Sequence, residues 1–456
     1  MRCTEYFKEI ETHKLSDSNN SGIKNKSSLK GIALSLLNQV YHHIFQVDMT
    51  ADVKTFLKNL LYVGAGTILS ALFSTVFTIL GARKLGPEEY GAFVLIQSVA
   101  QFLYIPMLLG FSTAMLKYTS EKSDSDRQSN IISTTYILVT LFTIASAIVI
   151  FLFRQQLSSL FSISTDHFSI SLIFAIILVF YVLSTDTLRG LDKTKVYAVF
   201  QVVYASILLL VFLFFILNNS FSFLSMIYPI LFAYGTVAII VPFFFFRKSF
   251  RLRFDKLWAN ILVKYALFAV IGGLSSTFYG NINKIFISKY MNIADVGIYS
   301  AYYSASVNVI GLFWGLFNII YFPAISKYEN KELIFKRINK LTPYLILIGI
   351  PLIMVCEFVI LKLFGNQYPI HVLLMLLFAI SSVLMVLFGL YDWTFAAQGI
   401  KGINLGILGS MTIAILTVLL SYLLIPHFGL FGAAGTVVMS FSAGIFCLVL
   451  LKRRLR

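Results

Sequence analysis

Twelve apolar stretches of near-uniform length constrain this 456-residue chain more than any motif in it. They fall at roughly 57–79, 91–113, 131–153, 168–185, 196–217, 222–246, 262–283, 298–322, 342–364, 371–391, 403–425 and 430–451. About twenty residues, rising about 1.5 Å each, cross a hydrocarbon layer about 30 Å thick. Barrel strands would need only about ten, alternating in character. The expected fold is an all-α integral membrane protein of about 12 transmembrane helices. Composition agrees, since 58% of residues are hydrophobic and only 12% are charged, about half the charged share of a soluble protein.

A formal charge of +16 raises the question of a nucleic-acid partner, but the location of the charges excludes one. Thirty of the 36 Lys and Arg lie in alternate segments, the ones that share a side with the N-terminus: the region through Lys58, 114–130, 186–195, 247–264, 327–340, Lys401 and the tail. The intervening segments hold Arg83, Lys84, Arg154, Lys284, Lys289 and Lys362. Positive residues favour the cytoplasmic side, so a multi-pass cell-membrane protein with both termini cytoplasmic is expected. The most basic connection, "KSFRLRFDK" at 248–256, suits an anionic lipid surface. Cys3, Cys356 and Cys447 have neither pairing nor metal-ligand spacing, so no disulfide, metal or other cofactor is expected.

The chain also echoes itself. "ARKLGPEEYGAF" after the first span aligns with "SKYMNIADVGIYS" after the seventh, Gly91 on Gly297. Lys117-Tyr118 matches Lys327-Tyr328, and Gly235-Thr236-Val237 matches Gly435-Thr436-Val437. The offsets are 206, 210 and 200. Three matches in one order predict two six-helix lobes of like orientation, related by an axis along the membrane normal. The domains read as an N-terminal polar and amphipathic extension (1–50), a first lobe (51–246), a basic connector (247–261) and a second lobe with a short basic tail (262–456).

"GARKLGPEEYGAF", "LRGLDKTKVYA" at 188–198, "NKIFISKYMNIADVGIYSAYYSAS" at 283–306, "YFPAISKYEN" at 321–330, "FGNQY" at 364–368 and "IPHFGLFGAAGTVVMSF" at 425–441 resemble the polysaccharide biosynthesis membrane proteins. These are O-antigen and lipid-linked oligosaccharide flippases of the multidrug/oligosaccharidyl-lipid/polysaccharide exporter superfamily. The resemblance covers about 49–451. It implies twelve helices in two lobes and passage of a polyprenyl-pyrophosphate-linked oligosaccharide from the inner to the outer leaflet by alternating access, without chemistry on the cargo. A polysaccharide polymerase and glycosyltransferases are the protein partners it implies. Where such proteins often carry an acid at the start of the segment after the seventh span, this chain has Asn283.

Candidate site residues follow from charge and polarity inside or beside the spans. Arg83 faces an outer headgroup layer, where it snorkels to phosphate, guides a pyrophosphate at the cavity rim, or pairs with Glu88 or Glu89. Lys264 and Lys284 bracket the seventh span, as snorkelling ends or as a headgroup site. Tyr299, Tyr302 and Ser306 share a helix face suited to a sugar-lined cavity wall, while Ser304 and Asn308 fall on another face, where bonding between helices is the plainer reading. Packing through small polar residues explains both faces equally well. Glu357 is the acid well inside a span by these boundaries; it either couples transport to a proton or sodium gradient or makes a structural bond. Two other functions remain: a cation-coupled drug or metabolite exporter of the same superfamily, expected to concentrate buried acids, and a non-transporting scaffold for polysaccharide assembly. His42-His43 lie on a surface-helix pattern and are not read as metal ligands, and Met49 opens a stretch that resembles an ordinary family N-terminus.

Overall fold

A computed structural model describes residues 51–121, 124–218, 221–246, 253–327 and 331–452. The expectations for 1–50 and for most of the basic connector lie outside the described residues. Residues 51–64 are helical and continue into the compact unit Ala65–Arg456, to which the contacts below belong.

The helix Ala51–Leu108 breaks at Gly86, whose φ of 78° only glycine tolerates easily. The break separates α1 (51–85) from α2 (87–108), with Pro87 opening α2 where no N–H partner is needed. After Leu109 and Gly110, both at positive φ, α2 resumes as Phe111–Ser120. Then follow α3 (Ser125–Leu152), α4 (Thr165–Gly190), α5 (Thr194–Leu217), α6 (Leu224–Phe246) and α7 (Lys256–Tyr290). α8 runs from Ile293 to Lys327 through a π-helical turn at Ser304–Asn308, and α9 (Lys331–Phe364) and α10 (Val372–Ala396) follow. Ile400–Leu451 breaks at Gly429 (φ 55°) into α11 (400–428) and α12 (430–451). Side-chain caps fix several starts: Ser164 accepts from His167 N, Asp255 from Leu257 N and Trp258 N, and Asn292 from Asp295 N. Each of the twelve apolar stretches thus contains or overlaps one spanning helix. The two shortest stretches, the fourth and tenth, belong to helices of 26 and 25 residues.

Contacts between the first six helices and the last six are uneven. At the face opposite the basic segments, Gly91 of α2 lies against Gly297 of α8. A Cβ on Gly91 would sit 1.9 Å from Ile293 O, and one on Gly297 would sit 2.0 Å from Pro87 O. Residues 87 and 91 are each 206 positions before 293 and 297, so the sequence repeat and the packing share one register, and the local two-fold passes through this seam. Around it, Tyr368 Oη donates to Ala82 O (2.9 Å), and Tyr90 packs edge-on against Phe364 and Tyr368. Ser288 Oγ donates to Ser162 O (2.9 Å).

A second line of contact runs down one edge, where α2 and α3 meet α7. Phe102 packs edge-on against Phe278, Gly110 abuts Ala266, Tyr118 packs on Trp258 and Tyr265, and Asp255 N donates to Thr134 Oγ1. Near the basic face the halves otherwise keep separate cores. Leu188, Val237 and Val241 cluster in the first, while Phe335, Phe388, Phe395 and Phe441 belong to a cluster in the second.

Closure of the seam depends on the absence of two side chains. Valine at Gly91 or Gly297 is expected to cost about 1–3 kcal/mol as overpacking or to part the helices. A cysteine replacing the fully buried Ala301 should then react with a membrane-impermeant thiol reagent in a Gly297→Val background and stay unlabelled with Gly297 intact.

Candidate functional site

Between the halves, away from the α2–α7 edge, lies a cavity of about 530 Å³. One stripe of α1 lines it with Thr67, Ser70, Ser74 and Thr78, at the three- and four-residue spacing of a single helix face. α5 contributes Gln201 and Tyr204, and α8 contributes Ser304, Asn308 and Gly311. A smaller chamber of about 180 Å³ shares Ser74, Thr78, Tyr204 and Ser304 and adds Gln97 and Lys284. Behind Tyr204 the ring of Tyr234 stacks at 5.1 Å and that of Tyr181 lies at 5.6 Å, so three aromatic residues stiffen α4, α5 and α6 where they back the wall.

Lys284 is the cation of this site. It stands six residues before the end of α7, about 9 Å along the axis. Its Nζ donates to Asn281 Oδ1 (3.3 Å) and lies 5.2 Å from the centre of the Tyr303 ring. No ion pair involves it among the described residues. The snorkelling expectation fails for Lys284, because α7 runs past the apolar stretch to Tyr290 and carries the lysine inward. Lys264, 20 residues earlier, is exposed and lies outside both chambers.

Of the two readings open for each face of α8, packing holds for one and the cavity wall for the other. Tyr299, Tyr302 and Ser306 are buried in packing and do not form the cavity wall. Tyr299 Oη accepts from Asn283 Nδ2 (3.0 Å). Tyr302 Oη donates to Pro369 O (2.8 Å) and accepts from His371 N (2.7 Å), and Ser306 Oγ donates to Tyr302 O (2.7 Å). Ser300, Tyr303, Ser304 and Asn308 face the cavity instead. In the sequence the cavity face is marked by the run of small polar and glycine residues through Ser300, Ser304, Asn308 and Gly311.

Arg83 is exposed at the closed end, its methylenes against Gly365, and lines neither chamber. Glu89 does not serve as its partner, because its carboxylate accepts from Phe223 N at the α5–α6 turn (2.6 Å). Glu357 is fully buried in α9, beside Tyr302 and Ser306 and outside the cavity lining. Two further acids lie within helices that outrun their apolar stretches: Asp186 near the end of α4, paired with Arg189 at 3.0 Å, and Asp392 near the end of α10, against Gly406. Glu357 is therefore not alone. Among the described residues no three His, Cys, Asp or Glu side chains are grouped to hold a metal ion.

Residues 56–329 match the family model described as polysaccharide biosynthesis protein. No functionally curated protein matches the sequence. Among solved structures, an inward-facing multidrug resistance MATE family transporter of the MOP superfamily is similar, with a TM-score of 0.69 at 14% identity over 87% of this chain and 98% of that one. An outward-facing MATE transporter of the same superfamily gives 0.53 at 13% identity, over 87% and 95%. The lipid II flippase MurJ, in an inward closed conformation, gives 0.62 at 13% identity, over 86% and 87%. At such identities the likeness establishes the fold.

Asn283, at the position where an acid was the expectation, ties the second half together. Its Nδ2 bonds Tyr299 Oη of α8 and Ala433 O of α12, and its Oδ1 accepts from Ser421 Oγ of α11. Interhelical bonds of this kind contribute about 0.6–1.7 kcal/mol each in a membrane. Asn283→Leu should lower the unfolding midpoint of purified protein, whereas Asn281→Leu, whose bonds to Thr277 O and Lys284 Nζ both stay within its own helix, should lower it much less.

Proposed function

The chain belongs to the polysaccharide biosynthesis protein family, and on that premise we propose that it is an alternating-access transporter whose cargo is a polyprenyl-pyrophosphate-linked oligosaccharide. The observation that carries this reading is Lys284: a cation without an acidic partner among the described residues, set deep in a cavity where hydroxyl, amide and tyrosine groups stand among apolar side chains such as Phe77, Phe93 and Leu208. A lysine neutralises a phosphate as a point charge, and hydroxyls and amides suit sugar. With the basic face in the cytoplasm, as the charge asymmetry favours, the glycine seam closes the outer end and cargo enters from the inside. The greater likeness to the inward-facing MATE transporter than to the outward-facing one supports that assignment.

A second reading, a cation-coupled exporter of a smaller drug or metabolite, has its own support. Glu357 is fully buried and Asp186 and Asp392 are half-buried near the ends of their helices, which supplies acids such as that reading asks for, and multidrug transporters share the fold. A scaffold that moves nothing has no use for a polar, lysine-bearing cavity.

Purified protein in liposomes should expose a labelled polyprenyl-pyrophosphate oligosaccharide in the opposite leaflet faster than empty liposomes do. Lys284→Gln should slow this about tenfold, the effect of losing about 1.4 kcal/mol of charged contact, with Lys284→Arg retaining part. Transport equal to empty liposomes across several such lipids, alongside gradient-driven export of an organic cation that Asp392→Asn abolishes, would establish the second reading instead. Orientation is checked separately. In intact cells lacking native cysteines, cysteines at Leu160 and Asn366 should label from outside, and those at Glu121 and Asp192 should not.

A further inference from the structure

We infer that Glu357 is a proton-binding site that controls the π-helical turn of α8 and thereby links a proton to the cavity wall; the purpose of that link rests on the transport reading. Glu357 is 0% exposed, and among the described residues its carboxyl oxygens have no partner other than Ser306 of α8, which lies beside them. Among the described residues α10 and α1 bring no charge near it. α10 has no ionisable side chain between His371 and Tyr391, and α1 has none that is charged between Lys58 and Arg83. On α9 itself the nearest groups are Cys356 and Lys362, and Lys362 is exposed, with Nζ 5.7 Å from the centre of the Phe358 ring. An ionised carboxyl here would lose its hydration without compensation, which costs several kcal/mol.

The hydrogen bonds around it specify which form the site accepts. Ser306 Oγ gives its proton to Tyr302 O (2.7 Å), and Tyr302 Oη gives its own to Pro369 O (2.8 Å). The Ser306 hydroxyl therefore presents only lone pairs to Glu357. A carboxylic acid can donate to Ser306, whereas a carboxylate would meet oxygen lone pairs. Loss of the proton from Glu357 to water leaves a carboxylate that draws the Ser306 proton away from the Tyr302 carbonyl, at the residue preceding Tyr303 and the π-helical turn. π-turns are uncommon and concentrate at functional sites. The opposite side of the same five residues presents Ser304 and Asn308 to the cavity, with Asn308 Nδ2 bonded to Ser304 Oγ (3.4 Å). The proton on one side and the cargo on the other therefore bias a single element, which is the physical requirement for coupling.

The test uses full-length protein in nanodiscs and no cargo, so its outcome is independent of which lipid or solute is transported. Infrared difference spectra against Glu357→Gln should isolate a protonated-carboxyl band that disappears as pH rises. Over the same interval, thiol labelling of Asn308→Cys in a background without native cysteines should change several-fold relative to the same reporter with Glu357→Gln. The Gln variant should hold the low-pH rate after correction for thiol ionisation. If Glu357→Gln fails to fold, Ser306→Ala should shift the pH midpoint of the labelling change. Absence of the band, a labelling ratio flat across pH, a midpoint unmoved by Ser306→Ala, or a change that follows sodium at constant pH would each overturn the inference.

Discussion

Two helix backbones meet without side chains between them at Gly91 and Gly297, and the arrangement of the halves depends on that contact. A Cβ at either position would fall within about van der Waals overlap of a carbonyl on the other helix, at 1.9 and 2.0 Å. In a bilayer, lipid tails compete with every apolar side chain, so close backbone approach through small residues is what gives helices a preferred partner. The seam brings Tyr90, Phe364 and Tyr368 into one aromatic group and lets Tyr368 reach the Ala82 carbonyl. It thereby converts two similar six-helix units into one structure closed at a single end.

Closure at one end and along the α2–α7 edge leaves space elsewhere, and the character of that space follows from which helix faces are free. α1 turns its threonines and serines inward and several large apolar residues, such as Leu72 and Val76, outward, where they are exposed. α8 divides its two polar faces: one is consumed in bonds to Asn283 of α7 and to the turn before α10, and the other is left for the cavity. Asn283 and Lys284, adjacent in sequence, separate in the same way, one binding three helices and the other pointing into the chamber. The second half thus holds a firm polar core directly behind its binding wall.

The spans and the repeat were legible because they depend on properties a sequence carries openly, the length of apolar runs and the recurrence of glycine at fixed spacing. Even the Gly91–Gly297 alignment proved to be a contact. Helix ends were less legible, since helices continue beyond the apolar stretch once neighbours or caps support them. α7 reached Tyr290 and took Lys284 inside; α10 reached Ala396 and enclosed Asp392. The inward face of α8 was not legible at all. It is decided by partners such as Pro369, His371 and Asn283, which lie far along the chain. The polar stripe of α1 was readable by periodicity, but without a charged residue in it nothing marked it as a wall.

Transport as proposed requires the two ends of the molecule to open in alternation, the glycine seam parting as the basic face closes. Double electron–electron resonance in nanodiscs, with spin labels paired at Asp192 and Gln398 for the basic face and at Leu160 and Asn366 for the opposite face, measures both ends directly. On addition of a polyprenyl-pyrophosphate oligosaccharide or a change of pH, the account predicts that the first distance shortens as the second lengthens. Two distances that stay fixed under every condition, or that change in the same direction, would contradict it.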